Sequence, residues 1–434
     1  MHPFQTFMNY QNTLEFAKSR DAEDPLRHFR ERFYFPVLHG KEVIYFTGNS
    51  LGLQPKSTQD HLLRELEDWA TFGVEGHFHA RFPWYHYKEF LKEPVAMLLG
   101  AKTEEVVVMN SLTVNLHLLL VSFYRPTPTR YKIICEYDAF PSDLYALQTQ
   151  AKFHGLLPDD AIVYLKPRQG EYCLRTEDIL KAIDDAGDSL ATVMLGAVNY
   201  YTGQYFELEK ITQAAHAAGA TCGFNLAHAA GNVTMKLHEW DVDFACFCSY
   251  KYLNAGPGSV AGIFVHEKHF GSDLPLFAGW WGNDPETRFQ APRTFSPVSA
   301  ASAWALSNDP VLSMAALKAS LDLFEEAGLE NLRTKSEDLT GYLEYLVNEI
   351  NRSADGSSGP QIRIITPSEK QMRGCQLSLV FARNGKEIFN SLTAEGVISD
   401  WREPDVIRVA PAPLYNTYED VFHFAEILKS KLAK

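Results

Sequence analysis

The feature that most limits the fold of this chain is a series of short, almost continuously apolar, β-branched runs separated by helical patterns. The runs are "YKIICEY" at 131–137, "ATVMLGAV" at 191–198, "ATCGFNLA" at 220–227, "DFACFCSY" at 243–250 and "SVAGIFVH" at 259–266. Strands without polar alternation are covered on both faces, which is the condition of a parallel sheet wrapped by helices. Helical patterns fall where such a sheet needs them: "SDLYALQTQAKF" from Ser142, "TEDILKAIDDAG" from Thr176, and "ELEKITQAAHAAG" from Glu207, which ends on a glycine as helices often do. The expected fold class is therefore α/β with a mainly parallel sheet. From Asp309 the pattern changes to two long helical segments, a polar loop "SADGSSGP" at 353–360, and then "QIRIIT", "CQLSLVFA" and "VIRVAP" mixed with helices. That part reads as a smaller α+β domain. A chain of 434 residues has room for both, since single cores seldom grow past ~250–300 residues.

Charge and cysteine usage narrow the partners. A formal charge of −14 offers no general attraction to nucleic acid or acidic membranes, so a small molecule is the expected partner. The first 25 residues lack a basic region followed by an apolar one, and no segment approaches the ~20 apolar residues of a membrane span. The expected location is cytoplasmic. Cys135, Cys173, Cys222, Cys246, Cys248 and Cys375 have no metal-site spacing and read as core thiols, with no metal expected.

In a parallel α/β sheet, ligands gather at the carboxyl ends of the strands, so polar residues just beyond the apolar runs carry the chemical information. "CSYKYLNAGPG" places Lys251 after such a run, beside Ser249 and Tyr250 and ahead of two glycines. A surface lysine after a strand is the ordinary reading. The flanks also suit an amine that forms a Schiff base with an aldehyde cofactor. In "MNSLTVNLHLLL", Asn110 or Ser111 can cap a helix with Thr113 in its first turn, a place where free N–H groups attract phosphate. "AFPSD" combines Phe140, able to stack on a flat ring, with Ser142 and Asp143, which are equally suited to capping the next helix. "FNLAHAAGN" presents Asn225 and His228 at another strand end. Each motif alone has a structural explanation.

Taken together, "YFTGNSLGLQPK", "SLTVNLH", "AFPSD", "FNLAHAAGN", "CSYKYLNAGPG", "GWWG" and "VIRVAPAPLYN" closely resemble the kynureninase family across nearly the whole chain. The resemblance implies a pyridoxal-phosphate (PLP) enzyme of the aspartate-aminotransferase-like fold (fold type I). It implies hydrolysis of kynurenine or 3-hydroxykynurenine to anthranilate or 3-hydroxyanthranilate and alanine, in tryptophan catabolism. It also implies a homodimer with shared active sites, and three parts: an N-terminal segment 1–60 packing with the small domain, a cofactor-binding domain 61–309 and a small domain 310–434. Lys251 becomes the Schiff-base lysine, with Tyr250 beside it contacting phosphate and relaying protons. Leu112 and Thr113 match phosphate-binding positions, and Phe140 the stacking aromatic. Ser142, Asp143, Asn225 and His228 match cofactor contacts, while Trp280 and Asn308 match contacts made across the dimer. Arg408 matches the clamp on the substrate carboxylate, a role suited to a planar bidentate donor. Ser50, His77 and Asn308 match substrate-side positions, and His77 with Asn308 points to the 3-hydroxylated substrate.

Four positions differ from the family pattern. Asn225 stands where an aspartate pairs with the pyridinium nitrogen, Gly196 where a serine or threonine is usual, Asn283 where histidine often follows "GWWG", and Ala305 where a longer polar side chain is usual. An amide cannot stabilise a protonated ring by charge, although Asp143 belongs to the same cluster. These differences leave three readings open: an active kynureninase, a related PLP enzyme with altered substrate or weakened activity, and a binding protein. Retention of Lys251, Arg408 and His77 favours the first.

Overall fold

The computed structural model describes residues 10–353 and 361–432, so all of the polar loop at 353–360 except Ser353 lies outside it. The main sheet has seven strands: β1 (Val106–Val108), β2 (Lys132–Glu136), β3 (Ile162–Leu165), β4 (Leu190–Gly196), β5 (Thr221–Asn225), β6 (Phe244–Phe247) and β7 (Gly262–Val265). Their spatial order is β1-β7-β6-β5-β4-β2-β3. From β6 to β3 all neighbours are parallel, whereas β7 runs antiparallel to both β6 and β1. The five apolar runs all became strands. The two strands without such a run, β1 and β3, are the two edges of the sheet. Val163 and Tyr164 in β3 are only half-covered, which removes the continuous apolar signal.

Successive residues in the central strands enter opposite cores. Cys135, Met194, Phe244 and Cys246 pack on one face with Leu116, Leu119 and Phe123 of helix α3 (Leu112–Phe123) and with Ala146 and Leu147 of α4 (Pro141–Phe153). Ile134, Val193, Leu195, Ala245 and Phe247 pack on the other face with Ile179, Ile211, Leu317 and Phe324. Full burial of a side chain such as Phe244 contributes about 1.5–3 kcal/mol. Phe244 stacks on Phe123 at 4.6 Å between ring centroids. It has room to do so because Gly223 is opposite, where a Cβ would lie 2.2 Å from the Phe244 ring.

After α5 (Val311–Ala327) and α6 (Leu329–Ser353) comes a four-stranded antiparallel sheet of β8 (Ile362–Ile364), β9 (Leu377–Phe381), β10 (Asp400–Arg402) and β11 (Val406–Val409), in the order β8-β9-β11-β10. Helices α6 and α7 (Tyr418–Leu432) cover it, through Leu343, Val347, Val421 and Phe424. The N-terminal stretch contributes to both units. Ala17 of helix α1 (Leu14–Glu23) and Phe46 enter the small-sheet core, whereas Leu26, Phe29, Phe33 and Leu53 enter the large one.

Candidate active site

A cavity of about 620 Å³ opens at the carboxyl ends of β2, β4, β5 and β6. Leu112, Thr113, Phe140, Ser142, Asp143, Gly196, Asn225, His228, Tyr250 and Lys251 all line it. Residues from four strand ends and two helix starts, scattered over 140 positions of sequence, thus meet in one place, as the topology of an α/β sheet requires.

Lys251 follows β6, and its Nζ lies 3.0 Å from His228 Nε2, with no carboxylate paired to it among the described residues. Burial pushes the amine below the ordinary lysine range, and the charges of Arg408 and Arg402 add to the shift while Cys248 and Asp143 oppose it. Burial also lowers His228 well below the usual histidine range, with the Lys251 charge contributing, so the ring is neutral and accepts from the lysine. Its Nδ1 is buried without a partner. The rings of Phe140 and Tyr250 lie 5.8 and 5.9 Å from the Lys251 nitrogen. Burial, reinforced by Cys248, raises the Tyr250 phenol and keeps it protonated.

Asn225 ends β5, donates through Nδ2 to Asp143 Oδ2 at 2.7 Å, and accepts the Ala227 N–H on Oδ1 at 2.8 Å. Asp143 is therefore not a helix cap. Its second oxygen, Oδ1, is buried and unpartnered, and burial raises the carboxyl to about 6 against the lowering effects of Asn225 and the Lys251 charge. The cap of α3 is Ser111, in extended conformation and without a side-chain bond to the helix, while Asn110 turns away to Asn115. The N–H groups of the first turn are left without helical partners. Thr113 reaches across to Ser142, 3.3 Å between hydroxyl oxygens.

Arg408 and Ser50 form a second cluster just beyond the cavity. The fully buried Arg408 donates from Nη1 to the Tyr200 carbonyl at 2.7 Å and from Nη2 to Asp400 at 2.5 Å and Ser50 at 3.2 Å. Its Nε is buried with no acceptor. Burial would raise Asp400, but the charge of Arg408, the Ser50 hydroxyl and the charge of Arg402 outweigh it and hold the carboxyl below its ordinary value. Tyr200 joins the two clusters, since its ring packs edge-on against Phe140 at 5.4 Å.

His77, Trp280 and Asn308 do not line this cavity. His77 lies in a one-turn helix, 5.5 Å edge-on from Trp84; Trp280 is 47% exposed and donates to the Arg288 carbonyl; Asn308 is exposed. Asn283 is buried as a local brace, accepting the Ser296 N–H, and Ala305 is buried in the core beside it. Sequence reasoning passed over Glu136, Asn199, Tyr200, Asp400 and Arg402. The first three were within reach of the strand-end rule, since Glu136 closes β2 and Asn199 and Tyr200 follow β4.

Comparison with known proteins identifies the family and the fold. Residues 332–428 match the family model "Kynureninase C-terminal domain". The chain is 53% identical over 423 residues to a kynureninase of Flavobacterium psychrophilum, covering 97% of this chain and 99% of the relative. It is 53% identical to that of Myxococcus xanthus, with 97% of each chain covered, and 46% identical to that of Mus musculus, with 95% and 92% covered. Among solved structures, the cysteine desulfurase CsdA of Escherichia coli superposes with a TM-score of 0.74 at 18% identity, over 94% of this chain and 98% of the other. A C-DES mutant with glycine covalently linked to its PLP cofactor superposes with a TM-score of 0.74 at 15% identity, over 89% and 96%. At such identities the structures establish a shared fold, that of fold type I, while near-full-length identity around one half establishes descent: the chain belongs to the kynureninase family.

Proposed function

We propose that this protein hydrolyses L-kynurenine or 3-hydroxy-L-kynurenine to L-alanine and anthranilate or 3-hydroxyanthranilate, with PLP as its cofactor. The observation that carries this reading is the Lys251 amine, depressed by burial and free of any carboxylate, held against a neutral histidine inside the strand-end cavity. The residues present suit the cofactor. Two buried ring-side atoms, Asp143 Oδ1 and His228 Nδ1, have no protein partner, and the first turn of α3 offers free N–H groups for a phosphate. When bound, PLP supplies an aldehyde for amine exchange and a ring that accepts electrons.

The side chains divide the remaining work. Lys251 presents an amine that holds its proton less tightly than an ordinary lysine, fit to give up the aldehyde to substrate and to take a proton from its α-carbon. Tyr250, kept protonated, is a donor beside it. Thr113 and Leu112 would hold the phosphate, with Ser142 supporting Thr113; Phe140 would stack on the ring, and Asp143, oriented by Asn225, would supply the negative charge for its polar edge. His228 accepts from Lys251 and fixes where that proton sits. Arg408 clamps the substrate carboxylate, with Ser50 at its side. The unpartnered, fully buried Nε supports this role, since such a donor calls for an anion.

Trp280 and Asn308, away from the cavity of their own chain, serve the site of a second copy in a homodimer, and His77 stands on the substrate side. Apolar groups open to solvent on the same part of the molecule, including Trp69, Val74, Phe78 and Phe289, support such an interface. His77 and Asn308 give the 3-hydroxyl a polar neighbour, so 3-hydroxykynurenine is turned over at least as well as kynurenine. The three parts are 1–60, 61–309 and 310–434. No helix among the described residues is long and apolar enough to cross a membrane, and the cysteines are free and mostly buried, which suits the cytoplasm.

The test is incubation with PLP and kynurenine, following both products. Equimolar anthranilate and alanine are expected, with borohydride fixing the cofactor on Lys251 and Lys251→Ala abolishing both outcomes. Alanine without anthranilate, or a label on another lysine, sinks the reading.

A further inference from the structure

Glu136, the last residue of β2, is 4% exposed and faces two cavities at once. On one side is the cofactor cavity, and on the other a small side cavity lined by Asp138, Tyr172, Asn199 and Tyr201 together with Leu165, Leu174 and Phe206. Its carboxyl accepts the Gly196 N–H on both oxygens, at 3.1 and 3.3 Å. A Cβ on Gly196 would sit 3.3 Å from Oε1, a close approach that would shift the carboxyl by a few tenths of an ångström. No lysine, arginine or histidine reaches it among the described residues. The groups around it are Asp143 from α4, Asn199 from the loop after β4, and Asp138, Tyr172 and Tyr201, which line the side cavity, with the Tyr201 hydroxyl turned to Asp405. Lys251, across the cofactor cavity, is engaged with His228.

Resting on the PLP reading above, we propose that Glu136 is a further positioning residue of this site. It stands in the shared wall as an uncharged carboxylic acid, leaves Asp143 as the single negative charge beside the cofactor ring, and exchanges its proton with solvent through the side cavity. The physical reason is the absence of a counter-ion. A carboxylate removed from water is held by hydrogen bonds or by a cation, and here the N–H groups of Gly196 and Glu136 and the Asn199 side chain supply neutral donors with no cation behind them. A second negative charge next to Asp143 adds repulsion. Burial, with Asp143 contributing, accordingly pushes Glu136 up to about 8. Two acids placed alike in sequence, each at the mouth of the sheet, thereby hold different charges: each has an amide donor, Asn225 for Asp143 and Asn199 for Glu136, but only Asp143 has a lysine charge nearby. The proton transfer is simple in its balance. The O–H of Glu136 breaks as base in the side-cavity water takes the proton, leaving the carboxylate, and the reverse step restores the acid.

Two measurements test this. In the cofactor-free wild type carrying ¹³C-labelled glutamate, one carboxyl resonance should titrate with a midpoint about 8 and be missing from Glu136→Gln. In the PLP-loaded protein, the cofactor absorbance should shift with that same midpoint. Glu136→Gln, a permanent mimic of the neutral acid, should lose the shift and keep the low-pH spectrum throughout. A Glu136 resonance that titrates in the ordinary glutamate range overturns the proposal, as does a cofactor spectrum that titrates identically in wild type and Glu136→Gln. A protein that takes up no PLP overturns the preceding reading and the role given to Glu136 with it, whatever the resonance shows. The resonance is read without cofactor, and Glu136→Asp serves as a second assignment variant should Glu136→Gln fail to fold, so the two failures are told apart.

Discussion

Asn225 gives an amide hydrogen to Asp143 and takes one from Ala227, so both ends of its side chain are committed. Asp143 Oδ1 has no partner among the described residues, and under the proposed function the ring-side charge falls to Asp143. Asn225→Asp brings two carboxylates to the 2.7 Å now spanned by a hydrogen bond, and such a pair retains one proton near neutrality. Net charge is then unchanged, and kcat should stay within about threefold of wild type, since a shared proton substitutes for the lost amide donor. Asn225→Ala frees Asp143 to turn and should lower kcat about tenfold or more, the equivalent of ~1.5–3 kcal/mol for a hydrogen bond to a charged group. Steady-state kinetics with kynurenine on both variants decides; an aspartate variant much faster than wild type returns the ring-side task to position 225. Lys251, Asn225, His228 and Asp143 were legible because each follows an apolar strand or opens a helix. Asp400 was not. Its pairing with Arg408 and Ser50 joins residues up to 350 positions apart, and no local pattern announces it.

At the scale of elements, the end of the sheet opposite the cavity is tied by one carboxylate. Asp243, just before β6, accepts from the Cys222 N–H at 2.7 Å, His216 at 2.8 Å, His269 at 2.8 Å and Lys268 at 3.0 Å. These bonds join the starts of β5 and β6 to the end of the preceding helix and to the turn after β7. Burial works against the charged form, yet His216, His269 and Lys268 outweigh it and hold the carboxyl well below the usual range. A depressed carboxyl stabilises the fold above its unfolded pKa of ~3.9 and loses that contribution as the pH falls below it. Asp243→Asn should therefore cost about 3 kcal/mol at pH near 7, an estimate for breaking a buried ion network. Urea unfolding curves of wild type and variant should converge on acidification below about pH 4. Parallel curves at all pH values would remove Asp243 from the acid response. The central strands were legible from composition alone because both faces are buried. The edges were not: the middle of β3 is only half-covered, and β1, though buried throughout, is a run of just three residues.

At the scale of the whole molecule, the exposed Trp280 and Asn308 set the question of assembly. If they complete the site of a second copy, chains inactive for different reasons should rescue one another. Mixing Lys251→Ala with a Trp280→Ala/Asn308→Ala chain, after unfolding and refolding together, should restore about a quarter of wild-type activity, because half of randomly paired dimers are mixed and each mixed dimer holds one intact site. Activity no higher than that of either variant alone indicates sites built within single chains. The N-terminal stretch between the two units has its own consequence. The Ala410 N–H bonds the Phe46 carbonyl at 2.9 Å, and the Gly52 N–H bonds the Tyr250 carbonyl at 2.9 Å. Position 52 admits no side chain there, since a Cβ would fall 2.4 Å from the Lys251 carbonyl oxygen. Main chain, with no side chain in between, thus spans from the neighbourhood of Arg408 to that of Lys251. Under the roles proposed for these two residues the span works as a fixed gauge. It would set one spacing between the amine and the carboxylate of a substrate, so that a β-amino homologue should be turned over far more slowly than the α-amino acid, without any residue dedicated to the refusal.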